Sequence, residues 1–289
     1  MSQSFSKLTP REIIDYFGSE FFDRTPKEIQ EFLLKTSFLP RITVKMAEKL
    51  TGLPNADTIL SALNRNNNFN EVHYAPEPVY QYHQLFREFL MARAKETFSN
   101  ETLSALCRQA ALLLEETGRT EAAISLFCDI EDWGAMGQLV MKQAPLMLAQ
   151  GRYRTLEEWL DSLPGEILKN DPWLLYWKGG SRLPFDPSGA QTYFEQAFDQ
   201  FRPQHNLPGI FLAWSGVVDC ILYSWGDFEH LDRWIKLFPE LPENPEGSLP
   251  PEIWISVVSS MVNALTFHPR PEDSETEEWI RRASSILEG

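Results

Sequence analysis

Five histidines and three cysteines are the side chains best able to bind a metal or attack a carbonyl, and their spacing argues against both. His73, His83, His205, His230 and His268 share no ligand spacing with one another or with Cys107, Cys128 and Cys220, so no zinc site is expected. The cysteines form no C-x-x-C pair and are odd in number, which fits reduced, buried thiols in a cytoplasm. No Ser-His-Asp or Cys-His arrangement stands out. The carboxylate pairs Glu157-Glu158 and Glu277-Glu278 read as solvated helix faces. There is no G-x-x-x-x-G-K-[ST] phosphate loop, so the chain is not expected to hydrolyse ATP by that route.

Two groups remain. His83 opens the stretch Tyr82-His83-Gln84-Leu85-Phe86-Arg87-Glu88-Phe89-Leu90, where Leu85, Phe86, Phe89 and Leu90 make an apolar stripe on one helical face. The first N–H groups of a helix are unpaired and favour an anion, so His83 is a candidate anion contact. It can equally be a structural residue ending the segment before it. The second group is aromatic. All nine tryptophans fall after residue 130, and Trp173, Tyr176 and Trp177 cluster at helical spacing. Such rings could stack on a planar ligand, or they could simply fill the core between repeats.

Charge narrows the partners. The net charge is −15. Residues 1–98 hold 12 Lys+Arg and 12 Asp+Glu, leaving 14 and 29 for the rest. Neither part has the basic footprint of a nucleic-acid binder. No run of about 18 apolar residues suggests a membrane span, and the first residues lack the apolar core of a secretory signal.

The elements that would position these residues come in two styles. Thr9-Pro10-Arg11-Glu12 and Thr25-Pro26-Lys27-Glu28 each read as a helix start. Thr43 to Leu50 is a short helix stopped by Gly52 and Pro54, and Asp57 to Arg65 is another. Glu71–Tyr74 and Val79–Tyr82 flank a Pro-containing loop and predict a hairpin. Helix, helix, hairpin, helix is the order of a winged helix. Its second helix, the one that would enter a major groove, offers only Arg65 as a cation and opposes it with Asp57. Lys45 and Lys49 lie on the helix before. Packing inside a larger machine suits it better than DNA.

After Asn100 helices repeat. Gly151 to Pro164 matches Gly226 to Pro239 at an offset of 75 residues, with Gly, aromatic, Leu, Trp, aliphatic and Pro in register. The expected pairs are Leu103–Thr117 with Glu121–Asp129, Trp133–Gln150 with Thr155–Leu163, Pro172–Leu183 with Gly189–Phe201, Ile210–Trp225 with Glu229–Phe238, and Ile253–Phe267 with Glu275–Leu287. The fold class expected is mainly α: a winged-helix domain with a small β-hairpin, then a TPR-like right-handed superhelix of antiparallel helix pairs. The domains are a helical lead-in over 1–35, a winged helix over 36–97 and helical repeats over 98–289. The last repeat has no polar cap, which predicts a truncated array from a longer protein.

Phe32-Leu33-Leu34-Lys35-Thr36-Ser37-Phe38-Leu39, the stretch at Tyr82–Leu90, Ala110–Gly118, Glu121-Ala122-Ala123-Ile124 and Asp132-Trp133 together resemble the large ATP-dependent LuxR-type transcriptional activators, of which the maltose-regulon activator type is the best known. The resemblance implies membership of the STAND class of signal-transduction NTPases. It further implies a nucleotide-binding domain of the same chain before Met1, further repeats after Gly289, ATP or ADP as cofactor of the parent protein but none in this chain, and self-association on activation. His83 is similar to the histidine that contacts ADP phosphates in the related M-H-D motif, although Tyr82 and Gln84 flank it here. Two function classes follow. The first is the arm and sensor of an ATP-dependent activator, binding an inducer or a regulatory protein on its repeats. The second is a repeat scaffold with no small ligand.

Overall fold

Apolar residues at helical spacing and a few capping side chains account for the first half of the molecule. The computed structural model describes residues 21–66, 70–74, 77–224, 229–241, 249–267 and 281. The expected helix after Thr9 falls largely outside them. The chain divides into two compact units, residues 1–132 and 133–289.

In the first unit α1, Lys27–Thr36, buries Phe32, Leu33, Leu34 and Thr36. Thr25 does not cap it as the sequence suggested. Its hydroxyl donates to the Phe21 carbonyl at 2.8 Å, and Pro26 takes the capping position. β1, Ile42–Thr43, leads into α2, Val44–Thr51. Thr43 Oγ1 accepts from Met46 N at 3.2 Å, and Gly52, at φ +77°, stops the helix in a left-handed conformation that other residues resist. α3 is Ala56–Asn66, β2 Asn70–Tyr74 and β3 Pro78–Tyr82. The hairpin gains a strand that the sequence did not reveal: the sheet is antiparallel in the order β1-β3-β2, with Tyr80 facing both Ile42 and Val72. A two-residue strand carries no period, so only its partner reveals it. α4, Gln84–Thr97, closes the winged helix. α5, Asn100–Glu116, and α6, Thr120–Asp129, then pack on each other across a turn in which Gly118 takes φ +71°.

The second unit is all helix among its described residues: α7 Trp133–Ala149, α8 Tyr153–Asp161, α9 Gly165–Asn170, α10 Pro172–Arg182, α11 Pro187–Phe201, α12 Leu207–Tyr223, α13 Glu229–Leu237, a 3-10 turn at Phe238–Glu240, and α14 Pro251–Phe267. α9 was not expected. The predicted partner of α14, Glu275–Leu287, lies outside the described residues but for Arg281, and so does Gly226. Three helices start alike. Asp171, Asp186 and Asn206 each accept an N–H from the first turn, with Pro at the first or second helical position.

Helices pack as pairs, and the first helices of the pairs also touch: α7 with α10, α10 with α12, α12 with α14. Gly179 of α10 and Gly216 of α12 both lie on the Phe194 ring of α11. A Cβ there would sit 2.9 Å and 2.6 Å from it, so glycine permits the close approach. Trp159 and Trp234, in register in sequence, are both buried. Trp214 is fully buried and donates its indole N–H to the Trp234 carbonyl at 2.9 Å, as a buried indole requires.

Candidate functional site

His83 stands where the sequence put it. It is the N-cap residue of α4, at φ −54° and ψ 139°, and its carbonyl accepts from Arg87 N at 2.9 Å. Its side chain makes no capping bond and is exposed. What surrounds it is fixed. Tyr82, just before it, is buried, and its hydroxyl lies 2.7 Å from Thr36 Oγ1 on α1. The Thr36 hydroxyl donates to the Phe32 carbonyl at 2.7 Å, so Tyr82 is the donor between the two. Burial pushes the Tyr82 phenol far above its usual range. Arg87, one turn on, donates from Nε to the Ser37 carbonyl at 2.7 Å, tying α4 to the end of α1. Of the predicted stripe, Phe86 and Leu90 reach the core together with Ala94, while Leu85 and Phe89 are half-buried. The imidazole is therefore exposed at a helix start whose flanking residues, Tyr82 and Arg87, are tied to α1 and the residue after it.

The aromatic trio lies in the second unit. Trp173 and Trp177 stack with centroids 6.5 Å apart, and Tyr176 meets Trp177 at 4.8 Å. All three are half-buried. Trp173 also packs on Phe201 at 4.8 Å and Tyr176 on Phe194 at 5.5 Å, so both join the repeat core. Burial and the neighbouring Asp219 push the Tyr176 phenol up to about 12. Asp219 accepts from Ser260 Oγ at 2.9 Å, and burial raises its carboxyl to about 6 against that bond.

A buried ion network was missed. Lys178 of α10 is fully buried and bonds Asp161 at 2.6 Å, with Glu157 at 3.5 Å. Arg182 reaches Glu157 at 3.6 Å and Asp186 at 2.6 Å. The signal was available: Glu157 and Asp161 are i, i+4, as are Lys178 and Arg182, so two helices present matched charged faces.

The cysteines are free. Cys107 and Cys220 are buried and Cys128 half-buried, and burial raises the Cys107 thiol to about 11, which makes it inert. No cluster able to hold a metal occurs among the described residues. None of their helices is long and apolar enough to cross a membrane. The cations of α2 and α3 are exposed, and each has a partner. Lys45 pairs with Glu77, Lys49 with Glu116, and Arg65 Nε donates to the Ser61 carbonyl.

The winged order, the third strand and the closing α4 have a known counterpart. Residues 18–119 match the MalT winged helix domain. The match takes in α1 to α5, wider than the expected 36–97. Curated full-length proteins agree. The HTH-type transcriptional regulator MalT of Vibrio cholerae is 25% identical over 191 residues, 65% of this chain and 21% of that protein. The one from Serratia proteamaculans is 27% identical over 200 residues, 68% and 22%. The one from Yersinia pestis strain Pestoides F is 26% identical over 195 residues, 66% and 21%. The chain thus spans about a fifth of the length of the curated relatives it matches. The resemblance to MalT-like activators is borne out, and with it a mainly α fold containing a winged helix.

Proposed function

We infer that this chain is the regulatory arm of a MalT-like transcriptional regulator, in which the helical repeats receive a signal and the winged helix passes it to a nucleotide-binding domain of the same protein. The match of residues 18–119 to the MalT winged helix domain carries this reading. The exposed His83 on its clamped helix supports the second half. In it, the imidazole faces ADP in the resting state, the chain itself has no catalytic role or cofactor, and the array binds an inducer or a regulatory protein. Paired or bonded cations on α2 and α3 support contact with protein rather than DNA.

The test is ADP dissociation from the full-length protein, wild type against His83→Ala. A contact shifts an equilibrium only by the difference in its interaction with the two states. One charge-assisted hydrogen bond is worth roughly 1.5–3 kcal/mol, so ADP should leave about tenfold to a hundredfold faster. Promoter activation should need less inducer. Equal rates in the two proteins would return His83 to a structural role.

A further inference from the structure

The first helices of the pairs touch one another, and two neighbours among them leave open stripes of one kind. In α10, before its final Arg182, the residues not buried are Trp173, Tyr176, Trp177 and Gly180, at i, i+3, i+4 and i+7. In α12, after its first two residues, they are Leu212, Asp219, Leu222 and Tyr223, at i, i+7, i+10 and i+11. Each set lies on one helical face. Together they are aromatic and aliphatic except for a single carboxylate.

That carboxylate has no cation. Asp219 is the one charged residue of α12, and α14 carries only Glu252, in its first turn. The cations of α10 are engaged elsewhere, Lys178 by Asp161 and Glu157, and Arg182 by Asp186 and Glu157. Among the described residues Asp219 accepts only from Ser260 Oγ of α14, at 2.9 Å. Burial, and after it the charge of Asp219, raises both the Tyr176 phenol on α10 and the Cys220 thiol beside it. The other charges that act on Cys220 are Glu195 and Asp186, again acids. A half-buried carboxylate in such a setting is costly unless a positive group reaches it.

A second acceptor stands open one turn earlier. Ser215 is buried, and its Oγ has no hydrogen-bond partner among the described residues. At i and i+4, Ser215 and Asp219 share a side of α12. One carboxylate and one hydroxyl are too few for a calcium or magnesium site. A primary ammonium suits them better, since it brings one positive charge and three donors. A quaternary ammonium would leave both acceptors unfilled, although aromatic rings attract it. An alcohol brings no charge.

We propose that the face formed by α10, α12 and α14 binds a primary amine carried on an apolar body, the ammonium at Asp219 and Ser215 and the body against Tyr176, Trp177 and Tyr223. This names a ligand class for the helical array, and it rests on the regulatory reading only in making that amine an effector. Binding is tested on the chain itself, so its failure leaves that reading standing.

The experiment is isothermal titration of the chain with phenethylammonium, and with 2-phenylethanol, phenethyltrimethylammonium and Nα-acetyl-lysine amide as comparisons. The last carries the same ammonium as a protein's lysine would, on a polar body. Phenethylammonium should bind saturably, and each comparison about tenfold or more weaker. Asp219→Asn keeps the shape and removes the charge, and should weaken the amine about tenfold or more. Tyr223→Ala, at a position 64% exposed, should weaken it about two- to fivefold without lowering Tm. Because the Asp219 carboxyl sits at about 6, it loses its charge as pH falls through that value, while the amine stays protonated. Affinity should therefore drop about tenfold between about pH 7.5 and about pH 5. A comparison that matches the amine, an Asp219→Asn protein that binds it equally, a pH-independent affinity, or no saturable heat up to about 10 mM would each overturn the proposal.

Discussion

Lys178 and the two acids that hold it should respond very differently to removal. The ammonium is the buried partner, at 1% exposure, whereas Asp161 is 62% and Glu157 23% exposed. Lys178→Met therefore removes the charge that burial penalises and keeps most of the stem's packing. The acids left behind can hydrate, and Glu157 retains Arg182 at 3.6 Å. A buried ion pair replaced by apolar volume is often neutral or better, so the change should stay within about 1 kcal/mol. Glu157→Ala/Asp161→Ala does the reverse. It leaves an ammonium buried with neither acid, and breaking a buried pair that way costs about 3–5 kcal/mol. The lower figure suits a site bordered by an exposed position, so about 3 kcal/mol is expected. In a unit of this size that is a fall of roughly 6–12 °C in Tm. All nine tryptophans lie in residues 133–289, so a melt followed by tryptophan fluorescence reads the second unit alone. Equal losses in the two variants, or a larger one in Lys178→Met, would refute the asymmetry.

Asp219 has its carboxyl raised to about 6, by burial. A raised acid binds its proton more tightly folded than unfolded, so its contribution to stability is favourable below the usual carboxylate range and is lost as pH rises through about 6. Asp219→Asn should therefore stabilise the second unit at pH 7, by roughly 1–3 kcal/mol, and the gain should fade towards pH 4; denaturant titrations of both proteins across that range measure it, and a gain independent of pH would contradict the assignment. Gly216→Ala places a Cβ 2.6 Å from the Phe194 ring, and overpacking should cost about 1–3 kcal/mol, whereas Gly165→Ala, with nothing within 4 Å, should cost nothing measurable in the same melt.

The sequence was most legible where one physical rule acts locally. Thr43 and Gly52 bound α2 because a hydroxyl cap and a left-handed stop need no partner from elsewhere in the chain. The 75-residue register located α8 and α13 within two residues, because a buried Trp at a fixed offset is the mark of a repeated interface. β1 was invisible, since two residues become a strand only through Tyr80 and Val79. Thr25 was misassigned because a capping sequence cannot tell whether its hydroxyl has a nearer acceptor, here the Phe21 carbonyl.

The candidate site divides along the same line. His83 could be placed at a helix start from the stripe that follows it, but its fixed setting depends on Tyr82 reaching Thr36 and Arg87 reaching Ser37, contacts 46 and 50 residues apart in sequence. Trp173, Tyr176 and Trp177 were recognised as a cluster, yet the packing of Trp173 on Phe201 and of Tyr176 on Phe194 is a property of the next helix. In the array, the repeated residues are those that hold the scaffold. The positions that break the repeat include Arg233 in place of Glu158 and Lys236 in place of Asp161, both on the exposed face of α13. A helical array is thus identified by what its repeats share.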